Sequence, residues 1–306
     1  MTTLVFGHKS PDTDSTGSPI IWAWYLNHVH GVDAAPALLG EPNTEALFML
    51  DHWKLDKPQI IDGVKDDQPV VIVDTNNPAE LPDNINNADI KAIIDHHKLV
   101  GGLETKGPIH INIQPLACTA TIMYKAIGDD MAQMPTEIKG AMLTCILSDT
   151  LEFRSPTTTP EDEAIAKALA KDLGIDIAEY AANMFAAKSD VSSFSEAELL
   201  RMDSKEYEVG GKQFRVSVLE TTSPKSVLDR KDALMAAMPG VATEDGADQV
   251  LLFVVDILNE EATMLIPNEL SKTVAEKSFG ASVSGDTVVL PGIMSRKKQI
   301  IPNLKV

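Results

Sequence analysis

The sequence predicts an α/β protein in which a doubly wound, mainly parallel sheet is followed by a second, smaller α/β domain. Two observations support this prediction. Short, continuously apolar runs alternate with longer amphipathic stretches through the first half of the chain, and a small polar segment then precedes a second group of strand and helix patterns. Continuous apolar strands that alternate with helices are typical of a parallel sheet covered on both faces.

The first domain is expected to span residues 1–187. Its predicted strands are short apolar runs, "TLVFG" (3–7), "VVIVD" (70–74), "KAIIDHH" (91–97) and "IHINI" (109–113). Helical spacing of apolar residues is found at 18–29, 44–53, 119–128, 136–148, 160–174 and 176–189. Pro160 and Gly174 are typical first and terminating residues of the helix at 160–174.

The second domain is expected to begin after a linker at residues 188–194, because "KSDVSSF" is small and polar. The domain then spans 195–306, with strands at 213–221 and 249–258 around a helix near 224–238. A chain of 306 residues with 44% apolar side chains is long enough for two domains of ordinary size.

Composition indicates a cytoplasmic protein with no membrane partner. No apolar run reaches the roughly 18 residues of a membrane-spanning helix, and "MTTLVFGHKS" lacks the basic start and long apolar stretch of a secretory signal. The only cysteines are Cys118 and Cys145, so we expect two buried thiols and neither a disulfide framework nor a cysteine metal site.

The net charge of −19 disfavours a nucleic-acid partner and leaves open a small anion bound by local positive charge. Residues 291–306 contain no acidic residue and carry Arg296, Lys297, Lys298 and Lys305. Taken alone, this basic cluster is more typical of a solvated terminus than of an anion site. Its backbone is expected to be extended, so that adjacent side chains point to opposite sides.

Acidic and histidine side chains follow several predicted strands of the first domain, where ligands bind in open parallel sheets. They are His8, Asp12 and Asp14 after the first strand, Asp74 after the second, and Asp95, His96 and His97 after the third. A further carboxylate, Asp149, ends an apolar helical run. For Asp14 or Asp149 alone, helix capping competes evenly with ligand binding. The whole set together favours a site.

Carboxylates and imidazoles without thiolates suit Mn²⁺, Co²⁺ or Zn²⁺ better than Ca²⁺. More than three acidic ligands indicate two ions. Two ions about 3.5 to 4 Å apart share a carboxylate, hold a bridging hydroxide as nucleophile and clamp the attacking and leaving oxygens of a phosphoryl displacement.

The ordered motifs "HKSPDTDS", "VVIVDTN", "IIDHHK" and "LSDTLEFRSPTTTPED" resemble those of the DHH phosphoesterase superfamily. With "RMDSKEY" (201–207) and "SRKKQIIP" (295–302), the chain is similar along its whole length to the family II inorganic pyrophosphatases. The resemblance implies a cytoplasmic homodimer that hydrolyses pyrophosphate to two orthophosphates. It also implies two Mn²⁺ ions per subunit, with Co²⁺ as a substitute and Mg²⁺ accompanying the substrate.

The resemblance further implies roles for individual residues. One ion would be held by His8 and Asp12, the other by Asp14, His96 and Asp149, with Asp74 bridging them. The residues that contact substrate and act in catalysis would be His97 in the first domain and Lys205, Arg296 and Lys297 in the second, which would close over the anion. Asp95 would orient the histidines through hydrogen bonds.

Two alternatives remain at this point. DHH-type exonucleases and phosphodiesterases that act on short oligonucleotides share the first-domain motifs, but their second domain typically carries a glycine-rich motif where this chain has "SRKKQ", and 5% aromatic residues offer few stacking platforms. A non-catalytic metal-binding protein on the same fold is the other alternative. The complete ligand set argues against it.

Overall fold

In the first 187 residues, a six-stranded sheet has every strand pair parallel, which confirms the predicted fold class. A computed structural model describes residues 1–306 and separates them into two units, Met1–Ala187 and Lys188–Val306. The strands of the first unit are β1 (Thr3–Phe6), β2 (Ala34–Leu38), β3 (Gln59–Ile60), β4 (Pro69–Val73), β5 (Asp89–Asp95) and β6 (His110–Ile113).

The strand order is β3-β2-β1-β4-β5-β6, so the chain moves outward from β1 in one direction and then in the other. The helices of this unit are α1 (Thr13–His28), α2 (Thr44–His52), α3 (Thr119–Ile127), α4 (Thr136–Asp149), α5 (Pro160–Leu173) and α6 (Ile177–Lys188). In such a doubly wound sheet, the crevice beside the point of reversal, here between β1 and β4, is the usual ligand site. Apolar side chains of β1 and β4, including Phe6 and Ile72, are fully buried in the core.

Helix α1 begins five residues earlier than the predicted 18, because Asp12 caps it. The Asp12 Oδ1 atom accepts a hydrogen bond of 2.9 Å from the Ser15 backbone amide, and the Ser15 hydroxyl accepts one of 2.8 Å from the His8 amide. Asp14 lies inside the first turn, so the capping alternative for Asp14 is wrong and its carboxylate remains available to the interior.

The second unit contains a five-stranded mixed sheet of order β11-β10-β9-β8-β7. Its strands are β7 (Ser204–Val209), β8 (Lys212–Thr221), β9 (Gln249–Asp256), β10 (Glu261–Leu265) and β11 (Thr287–Pro291). Only β8 and β9 are parallel. The helices are α7 (Glu196–Arg201), α8 (Pro224–Leu228), α9 (Lys231–Glu244) and α10 (Glu269–Phe279), so the single helix predicted near 224–238 is two helices.

The basic cluster is not extended as predicted. Arg296–Ile300 form a π-helical turn that begins at Ser295, whose hydroxyl accepts a hydrogen bond from the Lys298 amide. No helix of the protein combines the length and apolar character that crossing a membrane requires.

Candidate metal centre

Strands β1, β4 and β5 are neighbours in the sheet, and each is followed at its carboxyl end by a candidate ligand. His8 follows β1, Asp74 follows β4, and His96 follows β5. The carboxyl ends of parallel strands lie at the same edge, so distant parts of the sequence meet there. Asp149 reaches the same place from the last residue of α4.

One group of ligand atoms comes from His8, Asp12 and Asp74, with all three within 4.8 Å of one another. The His8 Nε2 atom lies 3.5 Å from Asp74 Oδ2 and 3.7 Å from Asp12 Oδ2. Burial by itself lowers the pKa of His8, but the nearby carboxylate of Asp12 outweighs it and leaves the pKa raised.

A second group comes from Asp14, His96 and Asp149, again with the ligand atoms within 4.8 Å of one another. The His96 Nε2 atom lies 3.4 Å from Asp74 Oδ1. Asp74 therefore directs Oδ1 toward the second group and Oδ2 toward the first. A carboxylate shared between two groups of ligands is the arrangement that two adjacent cations require.

The burial and charge of these carboxylates fit bound cations. Asp14 and Asp74 are buried and Asp149 is partly buried, and the Asp149 Oδ2 atom is shielded from solvent without a hydrogen-bond partner. Burial raises the pKa of both Asp74 and Asp149 well above the usual range, and the negative charge of Asp14 adds to the rise. A cation would supply the missing partner and remove this repulsion.

Hydrogen bonds to other groups fix the orientation of the candidate ligands. His96 Nδ1 lies 3.2 Å from the Leu116 carbonyl oxygen. Because a carbonyl only accepts, Nδ1 is the donor and Nε2 remains free to bind a metal. Asp14 accepts hydrogen bonds of 2.7 Å from the Ser18 hydroxyl and from the Thr119 amide.

Asp95 is fully buried and orients His97. Its Oδ1 atom accepts hydrogen bonds from His97 Nδ1 at 2.9 Å and from the His97 amide at 3.0 Å, while Oδ2 accepts one of 2.6 Å from Asn76. The bond to Asp95 raises the pKa of His97. Burial alone would raise the pKa of Asp95, but the hydrogen bonds from His97 and Asn76 leave it lowered. The His97 side chain is 53% exposed and so remains accessible.

In the second unit, Lys205, Arg296 and Lys297 line one cavity of about 540 Å³, whereas Lys298 does not line it. Arg296 donates hydrogen bonds of 2.7 Å to the carbonyl oxygen and to Oδ1 of Asp203. The three cationic residues named from the sequence therefore lie together, and Asp203 holds the guanidinium group of Arg296 in place.

Three polar residues around these sites were missed from the sequence. Asn76 follows the strand-end Asp74 by two residues, and this position in "DTN" is a usable signal. Thr119 donates through its hydroxyl to Asp74 Oδ1 at 3.2 Å, and Asp203 holds Arg296. Asp203 lies within the "RMDSKEY" motif, but neither its position nor that of Thr119 indicates which residue it contacts.

Two sequence profiles match the chain: the N-terminal domain of the DHH family over residues 2–148, and the DHHA2 domain over residues 182–306. The fold, the clustered ligands and these matches define a DHH-family protein with a DHHA2 domain.

Relatives of known name narrow this class. A manganese-dependent inorganic pyrophosphatase of Bacillus subtilis is 36% identical over 98% of this chain and 97% of its own length. A probable manganese-dependent inorganic pyrophosphatase of Lactobacillus johnsonii is 34% identical with the same coverage. A crystal structure of a putative family II inorganic pyrophosphatase from Methanococcus jannaschii is 33% identical, covers 99% of this chain and 98% of its own, and has a TM-score of 0.62. The chain belongs to the family of manganese-dependent, or family II, inorganic pyrophosphatases.

An exopolyphosphatase-related protein from Bacteroides fragilis shares only the fold. It is 13% identical and has a TM-score of 0.51, and the match covers 98% of this chain and 89% of the other.

Proposed function

We propose that this protein hydrolyses inorganic pyrophosphate to two orthophosphates. The observation that carries the proposal is Asp74, whose two carboxylate oxygens face separate groups of ligand atoms. Relatives along the full length of the chain are named manganese-dependent inorganic pyrophosphatases. Phosphoryl displacement by two adjacent ions is the chemistry that such a shared carboxylate supports.

Two Mn²⁺ ions per subunit are the proposed cofactors, with Co²⁺ as a substitute and Mg²⁺ bound with the substrate. The proposed ligands are His8, Asp12 and Asp74 for one ion, and Asp14, His96, Asp149 and Asp74 for the other. When bound, the ions supply positive charge opposite the phosphates and a water of lowered pKa. The role of the chain is to fix the spacing of the ligands, through the single carboxylate of Asp74 and the hydrogen bonds to Asp14 and His96.

His97 is proposed to contact the substrate. Asp95 accepts from its Nδ1 and raises its pKa, so the imidazole holds a proton more firmly and its Nε2 can donate a hydrogen bond to a phosphate oxygen. Lys205, Arg296 and Lys297 are proposed to bind the phosphates of the same substrate, because charge-assisted hydrogen bonds to phosphate are strong. Their common cavity supports this role.

Residues 1–187 would form the metal-binding catalytic domain, 188–194 the linker and 195–306 the substrate-binding domain. We propose a cytoplasmic homodimer that has neither nucleic acid nor membrane as a partner. Sedimentation velocity of the purified chain tests the dimer, and a mass equal to one chain at micromolar concentration would contradict it.

The activity is tested by measuring phosphate release from pyrophosphate, ATP and a short oligonucleotide after incubation with Mn²⁺, Co²⁺ or Mg²⁺. We expect pyrophosphate to be the preferred substrate and Mn²⁺ or Co²⁺ to be the better activator. The variant Asp74→Asn, purified in the same way, controls for contaminating phosphatases. Faster degradation of the oligonucleotide than of pyrophosphate would assign the chain to the phosphodiesterases, and no release from any substrate would favour a non-catalytic metal-binding protein.

A further inference from the structure

The peptide group that joins Leu116 to Ala117 makes two hydrogen bonds in opposite directions. Its carbonyl accepts from His96 Nδ1 at 3.2 Å, and its amide donates to Asp162 Oδ2 at 3.1 Å. One planar peptide carries both contacts, so its position relative to Asp162 sets the position of the acceptor for His96. An acceptor on its amide also polarises the carbonyl.

Asp162 is fully buried, and both of its carboxylate oxygens accept hydrogen bonds. Its Oδ1 accepts a hydrogen bond of 2.6 Å from the Thr121 hydroxyl. Its Oδ2 accepts from the Thr159 amide at 2.9 Å and from the Thr159 hydroxyl at 2.6 Å, in addition to Ala117. The Thr159 bonds form the capping box of α5, but a cap needs no contact with Ala117 or Thr121, which precede it by about 40 residues in sequence.

The same backbone segment continues to two other candidate ligands. The Thr119 amide donates to Asp14 Oδ2 at 2.7 Å, and the Thr119 hydroxyl donates to Asp74 Oδ1 at 3.2 Å. Residues 116–121 thus touch His96, Asp14 and Asp74 on one side and are anchored to Asp162 on the other.

We propose that Asp162 is a positioning residue of the metal centre. It holds the 116–121 segment so that the Leu116 carbonyl keeps His96 protonated at Nδ1, with the Nε2 lone pair directed to the metal. It touches neither a candidate ligand nor the substrate, and it acts through one peptide group and Thr119. This inference rests on the proposed role of His96 as a ligand.

The test compares Mn²⁺ binding, measured by calorimetry on the full chain without pyrophosphate, between the unmodified protein and Asp162→Asn. The amide keeps the size of the side chain but places two donors where four donors now converge. We expect the dissociation constant for Mn²⁺ to rise by roughly tenfold, the lower end of the effect of losing the direct hydrogen-bond partner of a metal ligand, because Asp162 acts through an intervening peptide group. Matched controls are Glu161→Gln, which removes an adjacent exposed carboxylate, and Gly174→Ala, which strains the other end of α5 at a φ of 68°.

A purely structural role makes a different prediction. Asp162→Asn would then lose stability as Gly174→Ala does, while its folded fraction would bind Mn²⁺ as the unmodified protein does, and this result would overturn the proposal. A second readout is the ¹⁵N spectrum of His96 in the metal-free chain at pH 8, where Asp162→Asn should increase the population protonated at Nε2. An unchanged tautomer would equally contradict the proposal.

If Asp162→Asn does not fold, Thr121→Val decides the question, because it removes one of the four hydrogen bonds to Asp162 and keeps the shape of the side chain. A several-fold weaker affinity for Mn²⁺ is expected, and an unchanged affinity would overturn the proposal. No measurement here uses pyrophosphate, so failure of the positioning role is distinguishable from failure of the proposed hydrolysis.

Discussion

Asp74 lies at a φ of 58°, in the left-handed region of backbone conformation that residues other than Gly, Asn and Asp rarely adopt. The strand β4 ends at Val73, and the Asp74 amide still donates to the Ile94 carbonyl oxygen at 2.9 Å. The backbone therefore leaves the strand within one residue while it remains tied to β5. This turn coincides with the carboxylate that both groups of ligands share, where local strain is commonly stored.

The conformation of Asp74 determines which substitution tests its bridging role. Alanine would add backbone strain to the loss of the carboxylate, whereas asparagine tolerates this region. We expect Asp74→Asn to fold and to lose both pyrophosphate hydrolysis and tight binding of Mn²⁺, because the amide removes the charge shared by two ions. Elemental analysis after gel filtration measures the bound metal. Two manganese ions per chain in this variant would contradict the bridging role, and loss of one ion alone would weaken it.

Lys297 and Lys298 are adjacent and chemically identical, but only Lys297 lines the cavity with Lys205 and Arg296. We expect Lys297→Ala to bind Mn²⁺ normally and to lose activity by about 1 to 3 kcal/mol of transition-state stabilisation, because a phosphate oxygen loses a charge-assisted partner. This corresponds to roughly tenfold to a hundredfold in kcat/KM. Lys298→Ala is the matched control and should change little. Equal, small effects of the two substitutions would make the basic cluster a solvated segment.

The residues that the sequence indicated and those it missed differ in one physical respect. Asp74, His96 and Asp149 stand at the ends of apolar runs, where a charged side chain is costly unless it has a function. Asp162 and Thr119 act through contacts between residues far apart in sequence, and each also fits an ordinary place in the first turn of a helix. Hydrogen bonds between residues so far apart in sequence can be identified only in a three-dimensional structure.

At the scale of single elements, the indole ring of Trp53 packs directly against the backbone of α4 at Gly140. A Cβ atom at Gly140 would overlap the ring, whose Nε1 donates to the Thr144 hydroxyl at 3.0 Å and to the Tyr180 hydroxyl at 2.8 Å. The close approach therefore ties the residue after α2 to both α4 and α6.

We expect Gly140→Ala to lower the free energy of unfolding by about 1 to 3 kcal/mol, because the core must shift to admit a methyl group. Gly240→Ala in α9 is the control, since no atom lies within 4 Å of its added Cβ and the substitution should raise helix stability by about 0.5 to 1 kcal/mol. Urea denaturation followed by circular dichroism measures both. A Gly140→Ala variant with a higher free energy of unfolding would mean that the Trp53 ring can shift to accommodate the methyl group without cost.

An ion pair links the end of α7 to the residue after α9 in the second unit. Arg201 donates to both carboxylate oxygens of Asp245, at 3.1 Å from Nε and 3.0 Å from Nη2, and the Asp245 side chain is only 14% exposed. These hydrogen bonds, together with the charge of Arg215, hold the pKa of Asp245 below its usual value of 3.8. A lowered pKa of an acid in the folded state stabilises the fold above the unfolded-state value, and this contribution is lost as the pH falls through the folded-state value.

We therefore expect Asp245→Asn to lower the free energy of unfolding at pH 7 by about 1.5 to 3 kcal/mol. The difference should be the same at pH 5 and should narrow as the pH falls below 3.8, where the unfolded chain takes up a proton at this carboxyl before the folded chain does. Asp232→Asn is the control, because that side chain is 88% exposed and its pair with Lys231 is long, at 3.7 Å. A difference in unfolding free energy that persists unchanged below pH 3 would exclude the ion pair as its cause.

Among the strands of the second unit, uniform burial distinguishes a predicted strand from one that was missed. All eight residues of β9 are buried, and such a continuous apolar run is recognisable without coordinates. Strand β7 has only exposed and partly buried side chains, and β3 has only two residues, so neither presents a run of apolar residues. The helix predicted near 224–238 is two helices because the backbone of Arg230, with φ of −101° and ψ of 9°, departs from helical geometry between α8 and α9.

At the scale of the whole molecule, the negative charges differ in their surroundings. The net charge is −19, and most acidic residues face solvent, but within the first unit Asp14 and Asp74 are buried and Asp149 is partly buried. Ions bound there would stabilise that unit specifically, since a ligand at 100 times its dissociation constant adds about 2.7 kcal/mol to the stability of the state that binds it.

Removal of metal should therefore lower the stability of the first unit and leave that of the second unit unchanged. We expect treatment with a chelator to reduce hydrogen-exchange protection in β1, β4, β5 and α4 and to leave β8 and β9 unchanged, as measured by mass spectrometry of peptides. Restoring Mn²⁺ should restore protection, and the same treatment of Asp74→Asn is the control because its protection should already be low. Equal loss of protection throughout residues 188–306 would contradict a stabilisation confined to the first unit.

The position of β1 in the middle of the sheet also bears on the order in which a growing chain can assemble. Residues 3–6 pair with 34–38 on one side and with 69–73 on the other, so this strand has no complete partner set until β4 has left the ribosome. The candidate ligands extend from His8 to Asp149, and the last of them closes α4. A nascent chain thus carries an incomplete ligand set through most of the synthesis of its first unit. The ligands proposed for one ion, His8, Asp12 and Asp74, are all present once β4 has been synthesised, whereas those proposed for the other ion are complete only at Asp149, after every strand of the sheet.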